Sequence, residues 1–377
     1  LNDLDLVGTN ADGEKITNVS GGQTEYAAMS VFARLNYEYK ERYLIELNGR
    51  YDGTSRFPMD SRWVMVPSAA IGWRISEEPF FQPYRGTVDN LKLRASFGRL
   101  GNHQVGDYDY IRGINMGQLG YIFGTTKPNY ATIDAPVAAN LTWEVIDQYN
   151  AGLDLAMLNN RLTFTAEAYI RDTKGMLSKG KALPGVYGTT SPKMNAADMR
   201  TKGYELSLSW RDMIMLAGKP FDYNVSVHFN DYITTITKFN NPDKSFAKSY
   251  YEGMRYGEIW GYTVDGYFLS DEEAANYPFD QTIVNNIIQA SAGAEKGLRA
   301  GDLKYVDLNG NNKIDVGDNT VDNPGDRRII GNKQPRYQYG VNLGFNWLGF
   351  DLSVFFQGIG KMDYYPVSNT IMLWGPF

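Results

Sequence analysis

Apolar and polar side chains alternate along much of the chain, and a period of two is the signature of a strand whose two faces meet different surroundings. In 161–171, Leu162, Phe164, Ala166, Ala168 and Ile170 alternate with Arg161, Thr163, Thr165, Glu167 and Arg171. In 221–230, Phe221, Tyr223, Val225, Val227 and Phe229 alternate with Asp222, Asn224, Ser226, His228 and Asn230. Weaker alternation marks 30–38, 43–51, 91–98, 147–155, 203–210, 337–347 and 350–357, and 63–74 completes the set. The pattern predicts about ten strands, each near the roughly 9–11 residues that a tilted membrane-crossing strand needs.

The connections between them alternate in length. Short turns fall at 39–41, 158–160 and 348–349, while long polar stretches occupy 100–143, 173–200, 232–262 and 263–334. Outer-membrane barrels pair short periplasmic turns with long extracellular loops, so the two lengths assign the two sides. Strands 30–38, 63–74, 147–155, 203–210 and 337–347 are then expected to run inward and the other five outward. A longer inner connection, 75–90, carries Ser76-Glu77-Glu78-Pro79, which predicts a capped helical turn on the periplasmic rim.

A soluble antiparallel β protein, with one strand face in a core and the other in water, shares this pattern. Aromatic residues at the predicted strand ends (Tyr37, Tyr43, Tyr51, Trp63, Trp73, Trp210, Tyr337 and Trp347) favour a membrane barrel, whose interfacial girdle requires them. No run of 18 apolar residues occurs, which excludes a helical membrane protein and leaves a strand-based one open. The net charge of −6 argues against nucleic acid as a partner, because phosphate binding needs a basic footprint. The absence of Cys removes a disulfide scaffold and suits an envelope protein. The chain begins at Leu1 without a secretory-signal pattern and reads as a fragment.

Specific blocks carry a resemblance. Arg50-Tyr51-Asp52-Gly53-Thr54-Ser55-Arg56-Phe57 is followed by Arg62-Trp63 and by 67–78, which ends in Gly72-Trp73-Arg74-Ile75-Ser76-Glu77-Glu78. Then come Lys92-Leu93-Arg94-Ala95-Ser96-Phe97-Gly98, Gly101-Asn102, Leu141-Thr142-Trp143-Glu144, Asn150-Ala151-Gly152-Leu153-Asp154 and Leu158-Asn159-Asn160-Arg161-Leu162. Gly203-Tyr204-Glu205, Gly261-Tyr262, Asp265-Gly266-Tyr267-Phe268, Asp307-Leu308-Asn309-Gly310-Asn311, Gly331-Asn332 and Pro335-Arg336-Tyr337 close the series. In this order, from about residue 30 onward, they resemble the SusC/RagA family of TonB-dependent outer-membrane transporters. The resemblance implies an all-β fold, an antiparallel transmembrane β-barrel of about 22 strands with an N-terminal plug. This chain, 1–377, is expected to be a C-terminal part of it, with the plug, TonB box and first strands absent and another strand beginning at Met372–Phe377. The implied partners are a SusD-like surface lipoprotein acting as a lid, the TonB complex through the plug, and outer-membrane lipid.

Candidate chemistry is sparse. Asp307, Asn309, Asn311, Lys313, Asp315 and Asp318 occupy positions 1, 3, 5, 7, 9 and 12 of an EF-hand-like or dockerin-like calcium loop at 307–318, inside the loop region 232–334; Lys313 would offer its carbonyl. Position 6 is Asn312 rather than Gly, and position 12 is Asp rather than Glu, and a metal-free Asn/Gly turn reads equally well. No other cofactor is required. His103 and His228 are the only histidines, so a Ser-His-Asp site would need His228 to meet a lumenal Ser. Glu144, Asp147 and Asp154 lie along one strand without a visible partner for glycosidase chemistry. Tyr108, Tyr110, Tyr121, Phe123 and Tyr130, and Tyr250, Tyr251, Tyr256 and Trp260, either bind a ligand or pack loop on loop. Ser270-Asp271-Glu272-Glu273 predicts a capping box. The reading is a non-enzymatic outer-membrane importer of an oligosaccharide or peptide. Its rivals are a siderophore or cobalamin receptor and a soluble β-rich glycan-binding module.

Overall fold

The computed structural model describes residues 23–138, 141–180, 183–281, 283 and 298–365. In chain order the strands are β1 (Ala28–Tyr39), β2 (Tyr43–Thr54), β3 (Trp63–Arg74), β4 (Val88–Asn102), β5 (Ile114–Gln118), β6 (Asn129–Ile133), β7 (Glu144–Met157) and β8 (Leu162–Lys179). They continue as β9 (Lys193–Leu216), β10 (Lys219–Lys238), β11 (Glu258–Tyr262), β12 (Val264–Tyr267), β13 (Leu303–Tyr305), β14 (Arg327–Asn332), β15 (Arg336–Trp347) and β16 (Phe350–Lys361). Ten of these form one antiparallel sheet in the order β1-β2-β3-β4-β7-β8-β9-β10-β15-β16, a meander that does not close on itself. This partial barrel contains every strand that the alternation predicts.

Register converts the period of two into two continuous faces. Tyr43, Trp73, Leu93, Leu153, Ala166, Leu206, Phe229 and Tyr339 stand in one row across eight strands. One residue along, Lys92, Asp154, Thr165, Ser207, His228, Gly340 and Gln357 form the corresponding row of the opposite face. A one-residue slip would exchange the faces, so the alternation fixes the register. Among the described residues no second layer covers the apolar face, and Ile71, Leu208 and Leu352 remain half exposed. A soluble sandwich would bury those rows.

Several strands run longer than their apolar stretch. β8 continues to Lys179 and β9 begins at Lys193, so much of 173–200, expected as loop, is paired strand. Amphipathic alternation marks only the part of a strand that separates two media; beyond it, backbone pairing, ion pairs such as Arg200–Asp172 and local packing of Leu177 and Met199 hold the hairpin. The periplasmic connection 75–87 also differs from expectation. It holds two 3-10 turns, Ile75–Glu77 and Pro79–Tyr84, with no side-chain cap, and the Ser76 hydroxyl is buried without a partner. Glu78 organises this rim instead, accepting from the Tyr43 hydroxyl (2.6 Å) and Trp73 Nε1 (3.0 Å), with Arg42 at 3.6 Å. The expected strand at Met372–Phe377 lies outside the described residues.

At the long-loop end, β5 and β6 form a hairpin, and β11–β14 and β12–β13 pair within 239–335. The segment 261–268 reads as strand-like in the sequence and holds β12; β5, β6, β13 and β14 lack a contrast between two media and show no alternation. The helix α1 (Asp271–Ala275) is capped as expected, Ser270 Oγ accepting from Glu273 N at 3.1 Å.

Candidate functional site

The face opposite the apolar rows is the candidate conduit wall, and its chemistry is mostly uncharged hydrogen bonding between neighbouring strands. Asn48 Nδ2 donates to Ser68 Oγ (3.2 Å), Asn150 Nδ2 to Ser96 Oγ (3.1 Å) and Ser209 Oγ to Ser226 Oγ (2.8 Å). His228 Nδ1 lies 3.0 Å from Ser207 Oγ. The structure thus gives His228 a lumenal serine, in a row whose next members are Thr165 and Gly340, not a carboxylate. His103 instead packs edge-on against Trp143 at 5.1 Å.

Charge on this wall is paired: Arg34 with Glu46 (2.7 Å) and Arg50 with Asp52 (2.5 Å) on β1 and β2, and a larger knot around Arg94. Arg94, Gly152 and Glu167 share a row, and Arg94 reaches across Gly152 to Glu167 Oε2 (2.6 Å), with Asp154 at 3.3 Å. A Cβ at position 152 would meet the guanidinium carbon at 2.7 Å, so only glycine leaves the path open. The block Asn150-Ala151-Gly152-Leu153-Asp154 is therefore one half of a wall contact whose other half is Arg94-Ala95-Ser96. A groove beside it is lined by Asn36, Glu46, Ala70, Arg94, Ser96 and Asn150. Asp147 and Asp154, expected along one strand, project to opposite faces: Asp147 pairs with Arg99 and Lys174, Asp154 with Arg94.

A second constellation explains the other motif blocks. Phe57, Leu141 and Trp143 are buried together, with Val64, Val105, Tyr110, Val145 and Leu177 around them. Trp143 Nε1 donates to the Arg62 carbonyl at 3.0 Å, and Asn195 bonds the backbone of both Thr142 and Gly175. The Trp63 ring covers Gly53, where a Cβ would approach it to 2.7 Å, and stacks on Tyr51 at 4.9 Å. These residues anchor the loop ends to the barrel rim.

The loop aromatics divide. Tyr251 is buried, and burial together with its hydrogen bond to Glu258 pushes its hydroxyl well above the usual tyrosine range. Tyr250 packs with Phe239 and Tyr256, and Trp260 with Phe246. Tyr108, Tyr121, Phe123 and Tyr130, by contrast, are exposed on and around the β5–β6 hairpin.

The expected calcium-loop residues lie on a loop that bonds to itself. Asp307 accepts from the backbone of Gly310 (2.8 Å) and Asn312 (2.7 Å), Asn309 from Asn311 (3.0 Å), Asn311 from Lys313 (2.9 Å) and Asp315 from Gly317 (2.8 Å). Asp318 accepts from Asn323 Nδ2 at 2.9 Å, and Asn312 takes φ +62°. Desolvation pushes the Asp307 carboxyl upward, but four backbone N–H groups outweigh it and hold it below the usual aspartate range. The loop closes on Asp326, wholly buried, which accepts from Leu308 (2.7 Å) and Asp315 (2.8 Å). Among the described residues no group of three or more His, Cys, Asp or Glu could hold a metal. As arranged, the side chains of Asp307, Asn309, Asn311, Asp315 and Asp318 accept hydrogen bonds from within the loop and its flank, and no step is derived through calcium. Sequence reasoning missed Asp326 because it lies eight residues beyond the loop pattern.

Aromatic side chains band both margins of the apolar face: Tyr39, Tyr43, Trp73, Phe221 and Trp347 toward the short turns, Tyr51, Trp63, Phe97 and Tyr149 toward the long loops. With one apolar face, one polar face and no covering layer among the described residues, the sheet is the wall of an outer-membrane β-barrel. The chain belongs to the TonB-dependent receptor-like β-barrel family, whose family model matches residues 2–376. It is of SusC/RagA type. It is 31% identical over 310 residues to the TonB-dependent receptor SusC of Bacteroides thetaiotaomicron, covering 79% of this chain and 29% of SusC. It is 29% identical over 355 residues to the TonB-dependent receptor P39 of Formosa agariphila, covering 89% of this chain and 33% of P39. Among solved structures, the RagAB peptide importer in its open-open state superposes with a TM-score of 0.67 at 22% identity, covering 89% of this chain and 32% of that one. The chain spans about a third of the length of these relatives.

Proposed function

We propose that the full-length protein imports an oligosaccharide or a peptide across the outer membrane. In this reading TonB supplies the energy through a plug formed elsewhere in the protein, and a SusD-like lipoprotein closes the extracellular mouth. The observation that carries it is the inner wall: Asn, Ser, Thr and Gln hydroxyls and amides, together with the paired charges of Arg34–Glu46, Arg50–Asp52 and the Arg94 knot, offer many replaceable hydrogen bonds to a polar chain passing along them. Such a surface suits passage better than tight capture. No bond-breaking constellation is needed, and the family is one of receptors and transporters. The RagAB neighbour is a peptide importer, which supports the peptide arm. A siderophore or cobalamin receptor is the competing reading. Growth of a deletion strain on defined glycans and peptides, with purification of the protein from its native membrane, tests the proposal. Loss of growth on one polymer class and co-purification of a lipoprotein are expected; a defect confined to iron or cobalamin supply would overturn it.

A further inference from the structure

On the outer, lipid-side face, the apolar rows end abruptly in charge. Phe97, Tyr149 and Ile170 stand in register on β4, β7 and β8, with the Phe97 and Tyr149 rings 5.0 Å apart. The next row of the same face, toward the long loops, is Arg99, Asp147, Asp172 and Arg200, again directly opposite one another across β4, β7, β8 and β9. From Leu162 to Ile170 the outward residues of β8 are apolar, so Asp172, ten residues beyond Leu162, follows after about 33 Å of strand at ~3.3 Å per residue. Tilted by about 40°, that length matches the height of a bilayer's apolar band, so the charged row lies at headgroup level of the outer leaflet.

The row is layered in depth. Asp147 and Asp172 are nearly buried, 2% and 8% exposed, and the cations lie over them. Arg99 grips Asp147 with two bonds (2.7 and 3.1 Å), Lys174 adds a third (3.2 Å), and Arg200 grips Asp172 with two (2.6 and 2.8 Å). The side chains of Arg99, Lys174 and Arg200 remain 37%, 54% and 47% exposed. Lys202, in register with Ile170 on the same face, is exposed and makes no ion pair among the described residues. The nearby Asp198 accepts from the backbone of Gly175 at 2.8 Å. The carboxylates are thus turned inward against their partners, and the surface that meets the leaflet is cationic.

We propose that this belt, Arg99, Lys174, Arg200 and Lys202, is a binding site for the phosphate of a phosphorylated glycolipid headgroup in the outer leaflet. Its acyl chains would lie along the apolar rows below, which begin with Phe97, Tyr149 and Ile170. Guanidinium and ammonium groups favour phosphate oxygens through charge-assisted hydrogen bonds, and a partly desolvated interface strengthens them. The two buried carboxylates fix the arginines in place, so their side chains lose little freedom on binding. This inference rests on the outward orientation of the apolar face and is independent of which nutrient passes inside.

The test uses the full-length protein purified in detergent and offered monophosphoryl lipid A or its dephosphorylated counterpart, with bound lipid counted by native mass spectrometry. The double variant Lys174→Gln/Lys202→Gln removes two surface cations and leaves the Arg99–Asp147 and Arg200–Asp172 pairs intact. Lys219→Gln, at the periplasmic turn, is the control. The phosphorylated lipid should be retained about tenfold better than the dephosphorylated one, and the double variant, but not the control, should abolish that preference. Equal retention of the two lipids, or an undiminished preference in a double variant that still shows folded, heat-modifiable migration, would overturn the proposal.

Discussion

Replacing Trp143 tests whether the motif blocks are anchors or ligand contacts. Trp143 is 5% exposed, packs at 5.5 Å against the fully buried Phe57, and lies so close to β4 that a Cβ at Gly101 would approach its ring to 2.9 Å. Truncating a large aromatic in a filled site costs about 3–5 kcal/mol. The Arg62 carbonyl that Trp143 Nε1 bonds also accepts from Thr54 N at 3.1 Å, so losing the indole leaves no orphaned acceptor and adds only about 1 kcal/mol. Trp143→Ala should therefore lose about 4–6 kcal/mol, and Trp143→Phe, which keeps an aromatic ring, about 1–2 kcal/mol. Urea titration of the detergent-folded full-length protein, read by heat-modifiable migration, gives both values. Limited proteolysis should show 103–138 newly cleaved in the alanine variant. If alanine and phenylalanine variants unfold together, or alanine costs less than about 1 kcal/mol, the anchoring argument is wrong.

The remaining predictions address the two faces, the periplasmic rim and the loop. Ala166→Arg, on the outer face, should destabilise by about 2–4 kcal/mol in bilayers, whereas Thr165→Arg, one residue along on the inner face, should cost far less. Hydrogen bonds from Tyr43 and Trp73, with Arg42 beside them, hold the Glu78 carboxyl below its ordinary range. Its contribution is therefore present above the ordinary glutamate pKa and is lost as pH falls through the depressed value, and acid unfolding curves of Glu78→Gln should lack that component. Asp326→Asn should loosen 307–326 to proteolysis; melting curves with and without millimolar calcium test the metal reading of Asp307, Asn309, Asn311, Lys313, Asp315 and Asp318, a calcium-dependent rise supporting it and an unmoved curve ruling it out.

The alternation found all ten barrel strands because lipid and water impose opposite demands on neighbouring residues. It understated β8 and β9, whose outer ends, such as 193–200, lie beyond the lipid and need no apolar face. The same reasoning explains why β5, β6, β13 and β14 fall in stretches expected as loop. Partnerships were harder to read than periodicity. That Arg94 crosses Gly152 to Glu167 depends on register between three strands, and Asn195, which ties 142 to 175, stands in no local pattern. The Ser270 cap was legible because all its parts lie within four residues; the Ser76 cap fails because Pro79 has no N–H to donate and the Glu78 N–H bonds the Ile75 carbonyl instead.

The most direct measurement places single nitroxide labels along β8, which is simple in a segment containing no cysteine of its own. Labels at 164, 166 and 168 in bilayer-reconstituted full-length protein should collide with oxygen dissolved in lipid, and labels at 163, 165 and 167 with a water-soluble nickel chelate. If the even positions are shielded from both reagents, those side chains pack against protein, and the barrel-wall account fails.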